Sequence, residues 1–182
     1  MATILYTIAP DAFFQVNTAV AVQLVATVLQ ALALRGRTGV WNCTVGWASL
    51  QRPLPAPYVL GIEANTAAIA DARINAERAG VADRVDLMAT PVEHALRLPT
   101  VTQRQWDALL LDPPRAGVSS PAMTALRDLV PSKIVYVSCD AATLARDAQL
   151  LCANGYYLCY AQPLDMFPQT HHVETVALFA RV

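Results

Sequence analysis

A cysteine flanked by polar residues follows one of the most apolar segments of the chain. The segment from Ile134 reads Ile-Val-Tyr-Val-Ser-Cys-Asp and continues as Ala-Ala-Thr, which predicts a strand that ends at Ser138 and a helix that begins just after Cys139. A cysteine at such a junction lies near the positive end of the helix dipole, which favours the thiolate, the nucleophilic form of the side chain. A cysteine among apolar residues is more often a small core residue, but its polar neighbours favour the nucleophile.

Two carboxylates stand at the ends of other apolar runs. Asp112 precedes Pro113 and Pro114, which fix φ and hold the aspartate at a rigid turn. Glu174 begins the last apolar run, and beside a thiolate it could remove a proton as a general base. The alternatives are a plain strand-ending turn for Asp112 and a solvated edge position for Glu174.

Metal-ligating patterns are weak in this sequence. His171 and His172 are adjacent, and neighbouring side chains on an extended chain point to opposite faces, so no shared metal is expected between them. The four cysteines form no Cys-x-x-Cys pair, which disfavours a zinc site and a disulfide framework. We therefore expect no metal.

The elements that must position these side chains alternate between strand and helix patterns. With 55% hydrophobic and 15% charged residues the chain is not disordered, and its length suits one domain over residues 1–182. The alternation predicts an α/β fold with a doubly wound, mostly parallel sheet and an antiparallel strand at one edge. Ligands of such sheets lie beyond the carboxyl ends of the strands, where Glu63, Asp112 and Cys139 fall. The predicted strands are 40–45, 58–63, 84–88, 106–112, 133–138, 156–163 and 173–181, and the predicted helices are 18–34, 66–79, 121–130 and 141–153, with a helical turn at 92–97.

A stretch without charge from Ala12 to Leu34 has the length of a membrane span. Glutamine and asparagine interrupt it, and its apolar positions recur at helical spacing, which indicates a buried helix and no membrane segment. The N-terminus lacks the basic start of a signal peptide, so a cytoplasmic protein is expected. The formal net charge of -1 does not indicate a nucleic-acid binder by bulk electrostatics, since phosphate contacts normally need a basic face.

Taken together, the chemical segments resemble the RNA uracil-5-methyltransferases, a class I S-adenosylmethionine-dependent family that makes 5-methyluridine. The resemblance runs from Phe14-Gln-Val-Asn17 to the C-terminus and includes Asp112-Pro-Pro-Arg-x-Gly and Ile134-Val-Tyr-x-Ser-Cys. The segments Val137-Ser-Cys-Asp-Ala-Ala-Thr and Leu164-Asp-Met-Phe-Pro are most similar to the branch that acts on 23S ribosomal RNA. Amino-directed methyltransferases place an aromatic residue where Arg115 stands, so an exocyclic amine is disfavoured as the target.

This resemblance implies a role for each site residue. Cys139 would attack C6 of uracil, and Glu174, which follows it by 35 residues, would remove the C5 proton. Gln15, Glu63 and Asp112 match positions that contact S-adenosylmethionine. The implied substrate is RNA, ribosomal rather than transfer RNA, with the target base unstacked.

Two departures from the family pattern leave a second reading open. Between Val40 and Trp47, Val40 replaces the usual aspartate, Thr44 the first glycine and Trp47 a polar residue, which would impair the cofactor loop. The sequence also shows no N-terminal RNA-binding barrel or middle domain, so a partner domain that binds RNA is expected. The alternative is a catalytically silent methyltransferase fold that serves as a binding module.

Overall fold

The computed structural model describes residues 17–32, 39–42, 56 and 58–181, and seven strands and six α-helices lie within this part of the chain. A short 3-10 helix, Ala82–Arg84, leads into the third strand. The strands are β1 Gly39–Asn42, β2 Val59–Glu63, β3 Val85–Ala89, β4 Trp106–Leu111, β5 Lys133–Ser138, β6 Tyr156–Leu164 and β7 Glu174–Arg181. The helices are α1 Thr18–Leu32, α2 Thr66–Arg78, α3 Val92–Ala95, α4 Pro99–Thr102, α5 Ser120–Leu129 and α6 Ala141–Ala153.

The strands form one sheet in the order β3-β2-β1-β4-β5-β7-β6. Strands β1 to β5 pair in parallel, and β7 pairs antiparallel with both β5 and β6. The predicted doubly wound, mostly parallel sheet is confirmed. The antiparallel pairing lies at one end of the sheet, as expected, but β6 is the edge strand and the reversed strand β7 is second from the edge. After β5, helix α6 carries the chain past the position next to β5, so that β6 forms the edge. The connection from β6 to β7 has no helix, and it returns the chain to the position between β5 and β6, where β7 runs antiparallel to both.

Strand β4 shows how the alternation of side chains builds a core on both faces of the sheet. Leu109 and Leu111 belong to the cluster under α5 and α6, whereas Ala108 and Leu110 belong to the cluster under α1. All four side chains are buried, as expected of a central parallel strand. The sheet therefore holds the ends of β4 and β5 rigidly between two helical layers.

Helix α1 packs on the sheet through one face. Leu24, Val28 and Leu32 are buried at helical spacing, while Val22 is 55% exposed. This confirms the buried helix predicted from the uncharged stretch. Within the described ranges, no helix combines the length and apolarity needed to cross a membrane.

Candidate active site

The pairing of β5 with β7 brings Cys139 and Glu174 to the same edge of the sheet. Ser138 and Thr175 are opposite partners in the antiparallel ladder, and Cys139 and Glu174 are the next residues outward on the two chains. Because β7 runs against its neighbours, its amino end lies at the carboxyl ends of the parallel strands, one strand away from the end of β4 that leads into Asp112. The charges of Asp112 and Glu174 interact, as do those of Glu174 and Cys139. The structure thus brings these three predicted site residues together.

The electrostatic surroundings of Cys139 differ from the sequence-based expectation. Burial raises the pKa of the Cys139 thiol, the charge of Glu174 raises it further, and a hydrogen bond and the positive charge from Arg115 act in the opposite direction. The pKa of the thiol lies above its ordinary value as a result. Burial and the charge of Glu174 thus outweigh the contributions that favour the thiolate.

The helix N-terminus is occupied by Asp140. This residue is the N-cap of α6, and its Oδ1 accepts a hydrogen bond from the Thr143 amide at 2.8 Å. Hydrogen bonds from the backbone and the side chain of Thr143 hold the pKa of the Asp140 carboxyl below its usual value. The dipole therefore stabilises the negative charge of Asp140. Cys139, one residue before the cap, gains its favourable charge from Arg115.

Glu174 is a buried carboxyl group at this edge. Its residue is 3% exposed, and burial, followed by the negative charge of Asp112, raises the pKa of its carboxyl group to about 7. The solvated edge position considered from the sequence is therefore wrong. A carboxyl group with a pKa near neutrality is matched to taking up a proton at physiological pH.

Arg115 lies between the cysteine and the histidine pair, a position that sequence reasoning missed. Its Nη2 is 2.9 Å from Nε2 of His172, whose pKa is lowered by burial and by the positive charge of Arg115. A neutral His172 ring can accept the guanidinium hydrogen bond. The signal available in the sequence was an arginine directly after the two prolines that fix the turn.

The histidine pair corrects another expectation. The rings of His171 and His172 lie 4.0 Å apart and do not point to opposite faces. The chain is turned and not extended here, and Gln169 adopts a left-handed conformation with φ of 66°. Among the described residues, no group of three His, Cys, Asp or Glu side chains could hold a metal ion.

Glu63 stands at the carboxyl end of β2, as predicted. Its Oε1 accepts a hydrogen bond from the Asn65 amide at 2.9 Å, and Asn65 in turn caps α2. These contacts fix the direction of the Glu63 carboxylate, which retains lone pairs for further donors. The arrangement suits the recognition of a pair of hydroxyl groups.

A mostly apolar cavity of about 210 Å³ lies beyond the carboxyl end of β4. Asp112, Pro113 and Pro114 form part of its wall, and Val92 and Ala122 contribute from α3 and α5. An apolar cavity with a carboxylate at its wall suits a flat heterocycle that carries a hydrogen-bond donor. Gln15 and the segment 43–47 of the predicted cofactor loop lie outside the described residues.

A family model described as tRNA (Uracil-5-)-methyltransferase matches residues 2–182 of the chain. The chain belongs to this family. The 23S rRNA (uracil(1939)-C(5))-methyltransferase RlmD of Photobacterium angustum is 37% identical over 177 residues, which cover 96% of this chain and 80% of that protein. An uncharacterized RNA methyltransferase of Thermosynechococcus vestitus is 41% identical over 98% of this chain and 39% of its own length. The family expected from the motifs is confirmed.

The fold agrees with that of a solved family member. The crystal structure of Pyrococcus abyssi tRNA (uracil-54, C5)-methyltransferase in complex with S-adenosyl-L-homocysteine matches with a TM-score of 0.76 and 33% identity, over 96% of this chain and 42% of that chain. The class I methyltransferase fold predicted from the strand and helix pattern is therefore confirmed. The chain spans only about two fifths of the length of several curated relatives that it matches.

Replacing the buried carboxyl group tests its raised pKa. The folded protein retains the Glu174 proton up to about pH 7, whereas an ordinary carboxyl releases it near 4.5. The stability that protonated Glu174 contributes is therefore fully present below pH 4.5 and is lost as the pH rises through about 7. The Glu174→Gln variant has no such pH-dependent loss. We therefore expect the difference in unfolding free energy, variant minus wild type, to increase by about 3 kcal/mol between pH 4.5 and about 7.

Thermal or urea unfolding of both proteins across this pH range measures the difference. Glu77→Gln, at an exposed position on α2, is the control for the change from carboxyl to amide. A difference between Glu174→Gln and wild type that stays constant with pH would contradict the raised pKa.

Replacing Arg115 tests its effect on the cysteine. We expect Arg115→Gln to raise the pKa of the Cys139 thiol, because the favourable hydrogen bond and charge are lost while burial and Glu174 remain. Iodoacetamide alkylation of Cys139, followed by peptide mass spectrometry across pH, should show a higher midpoint and a slower reaction at neutral pH. The exposed Arg127→Gln on α5 is the control, and an unchanged midpoint in Arg115→Gln would refute the role.

Proposed function

We propose that this chain is the catalytic domain of an S-adenosylmethionine-dependent methyltransferase that acts on C5 of a uridine in RNA. The observation that carries the proposal is the placement of Cys139 and Glu174 at adjacent ends of β5 and β7. One supplies a nucleophile and the other a group that exchanges a proton near neutral pH. Uracil C5 methylation needs both functions, since unaided C5 is a weak nucleophile.

In the proposed reaction, the Cys139 sulfur bonds to C6 of the uracil and makes C5 an enolate-like carbon. Arg115 stabilises the attacking thiolate, which burial and the charge of Glu174 disfavour. After C5 has gained the methyl group, ionised Glu174 removes the remaining C5 proton. The C6–S bond then breaks, which restores the double bond and releases Cys139 as a thiolate.

The cofactor side of the site supports S-adenosylmethionine as the methyl donor. When bound, S-adenosylmethionine would supply the methyl group from its sulfonium and would leave as S-adenosylhomocysteine, the neutral thioether. The fixed Glu63 carboxylate suits the ribose hydroxyls, and the cavity beside Asp112 suits the adenine ring. Gln15 is proposed as a further contact on the strength of the family resemblance.

RNA is the proposed substrate class, and ribosomal RNA is favoured over transfer RNA. Identity to a 23S rRNA methyltransferase is 37%, and identity to a tRNA methyltransferase of known structure is 33%. The motifs around Cys139 and Leu164 support the ribosomal branch. With a net charge of -1, the chain needs a further domain or partner to bind the phosphate backbone strongly. We propose the cytoplasm as the compartment.

An RNA hairpin that contains 5-fluorouridine tests the covalent mechanism. With S-adenosylmethionine present, we expect a stable protein–RNA adduct, because the fluorine at C5 cannot leave as a proton. Denaturing gel electrophoresis detects the adduct, which Cys139→Ala should abolish and the exposed Cys152→Ala should leave intact. An adduct that persists in Cys139→Ala would refute the assignment of the nucleophile.

Glu174→Gln tests the proton acceptor with unmodified uridine. We expect the methylated adduct to accumulate, since the amide cannot remove the C5 proton, and turnover to fall by about 10²–10⁴-fold. Wild-type turnover should rise as pH increases through about 7, where Glu174 ionises. Mass spectrometry of the RNA measures product, and wild-type turnover rates in Glu174→Gln would contradict this role.

Calorimetry with S-adenosylmethionine separates an active domain from a silent one. We expect binding that weakens at least about tenfold in Glu63→Gln, because a carboxylate accepts from both ribose hydroxyls and an amide does not. No binding at millimolar concentration would overturn the proposal for this chain. Parallel methylation of ribosomal and transfer RNA hairpins then decides between the two substrates.

A further inference from the structure

A fully buried carboxylate lies away from the reacting groups, on the helix that follows the cysteine. Asp147 belongs to α6 and is 0% exposed. A buried charge is costly unless hydrogen bonds and opposite charges surround it. Its partners therefore show what the residue holds in place.

Asp147 accepts hydrogen bonds from three parts of the fold. Tyr136 of β5 donates its hydroxyl at 2.6 Å, and the Val118 amide donates at 2.9 Å. Arg146 donates through Nε at 2.9 Å and through Nη2 at 2.7 Å. Burial and the hydrogen bond to Asp147 raise the pKa of Tyr136 far above its ordinary value, so the hydroxyl remains a donor. The carboxylate thus joins β5, α6 and the segment between β4 and α5.

The part of that segment from 113 to 119 carries Arg115 and is attached to α6 by two further hydrogen bonds. The Thr143 hydroxyl donates to the Arg115 carbonyl oxygen at 3.0 Å, and Arg146 Nη2 donates to the Ala116 carbonyl oxygen at 2.8 Å. With the bond from Val118 to Asp147, α6 holds three backbone positions within four consecutive residues. The loop 113–119 is therefore fixed to the helix and not only to the ends of β4 and α5.

Gly117 shows how closely the loop 113–119 approaches the helix. Its φ of +80° favours glycine, and a Cβ atom at this position would overlap side-chain atoms of Thr143, Arg146 and Asp147. The glycine of the Asp-Pro-Pro-Arg-x-Gly motif thus has a structural reason. It permits the contact between the loop and α6.

We propose that Asp147 is a positioning residue of the active site, which fastens the loop carrying Arg115 to α6 and thereby keeps the Arg115 guanidinium beside the Cys139 sulfur. The inference rests on the proposed function, because it takes Cys139 as the nucleophile. Arg115 and Glu174 are the charged groups that face the sulfur, and Arg115 is the favourable one. If the loop moves away from α6, Arg115 moves away from the Cys139 sulfur. Burial and the charge of Glu174, which both raise the pKa of the thiol, are then no longer opposed by Arg115.

Alkylation of Cys139 by iodoacetamide across pH tests the inference. In Asp147→Asn the side chain is uncharged, and its NH2 group replaces one of the two oxygens that accept hydrogen bonds. The donors from Val118, Tyr136 and Arg146 can then no longer all be satisfied, so the loop 113–119 loses its attachment. We expect the pH midpoint of alkylation to rise by about one unit, and the rate at neutral pH to fall about tenfold. The exposed Cys152 provides an internal standard within each sample, and its rate should not change.

Two glycines of the chain provide a matched pair of variants. Gly117→Ala and Gly80→Ala place alanine at similar left-handed φ values of +80° and +67°, but only at Gly117 would the new methyl group overlap α6 side chains. We expect the Cys139 midpoint to rise in Gly117→Ala and to stay at the wild-type value in Gly80→Ala. Thr143→Val, which removes the hydroxyl bond to the Arg115 carbonyl and the side-chain bond to Asp140 but leaves Asp147 and Arg146 in place, should give a smaller rise in the same direction.

A purely structural role for Asp147 predicts a different pattern. Thermal unfolding midpoints would fall in Asp147→Asn and Gly117→Ala while the alkylation profile of the folded proteins stayed at the wild-type position. That result in Gly117→Ala and Thr143→Val overturns the inference, even where Asp147→Asn does not fold. In the Arg115→Gln background, Gly117→Ala should give no further shift, because the positioned group is already absent.

The fluorouridine adduct separates this inference from the proposed function. A shift of the alkylation midpoint in the variants, with no adduct in the wild-type protein, supports the inference and refutes the proposed function. An adduct in the wild-type protein, with the same alkylation midpoint in every variant, supports the function and refutes the inference.

Discussion

The antiparallel pairing of β7 with β5 is the constraint on which the candidate site depends. It converts a separation of 35 residues along the chain into adjacent positions at one edge of the sheet. A shift of one residue in this register would turn the Glu174 side chain to the other face. Because β7 lies inside the sheet, covered by β6 on one side and β5 on the other, the same pairing buries the carboxyl group and raises its pKa.

The charges at this edge oppose one another in a way that sets the chemistry. Two carboxyl groups, Asp112 and Glu174, and the Cys139 thiol cannot all ionise cheaply at close range. The protein retains a proton on Glu174 near neutrality and places Arg115 against the sulfur. Among these groups Arg115 is the one that favours the Cys139 thiolate, against burial and the charge of Glu174. This gives the loop between β4 and α5 its importance.

Apolar runs predicted the central strands to within one residue, because β4 and β5 are buried on both faces and their pattern is continuous. The sequence did not predict which of two neighbouring residues would interact with a helix N-terminus. Asp140 and Cys139 both stand at the start of α6, and the aspartate takes the helix N-terminus because its oxygen reaches the Thr143 amide. The histidine rings adjoin because of the turned chain at Gln169, whose φ no sequence pattern revealed.

Asp147 marks the limit of sequence reasoning most clearly. An acidic residue on a helix is ordinarily solvated, and its partner Val118 lies 29 residues earlier in the chain. In the folded protein, the loop that carries the Asp-Pro-Pro-Arg-x-Gly motif and the helix α6 that follows Cys139 are joined by hydrogen bonds. Gly117 permits close approach, Arg146 and Asp147 bind the backbone of the loop, and Arg115 on the same loop forms a hydrogen bond with Cys139.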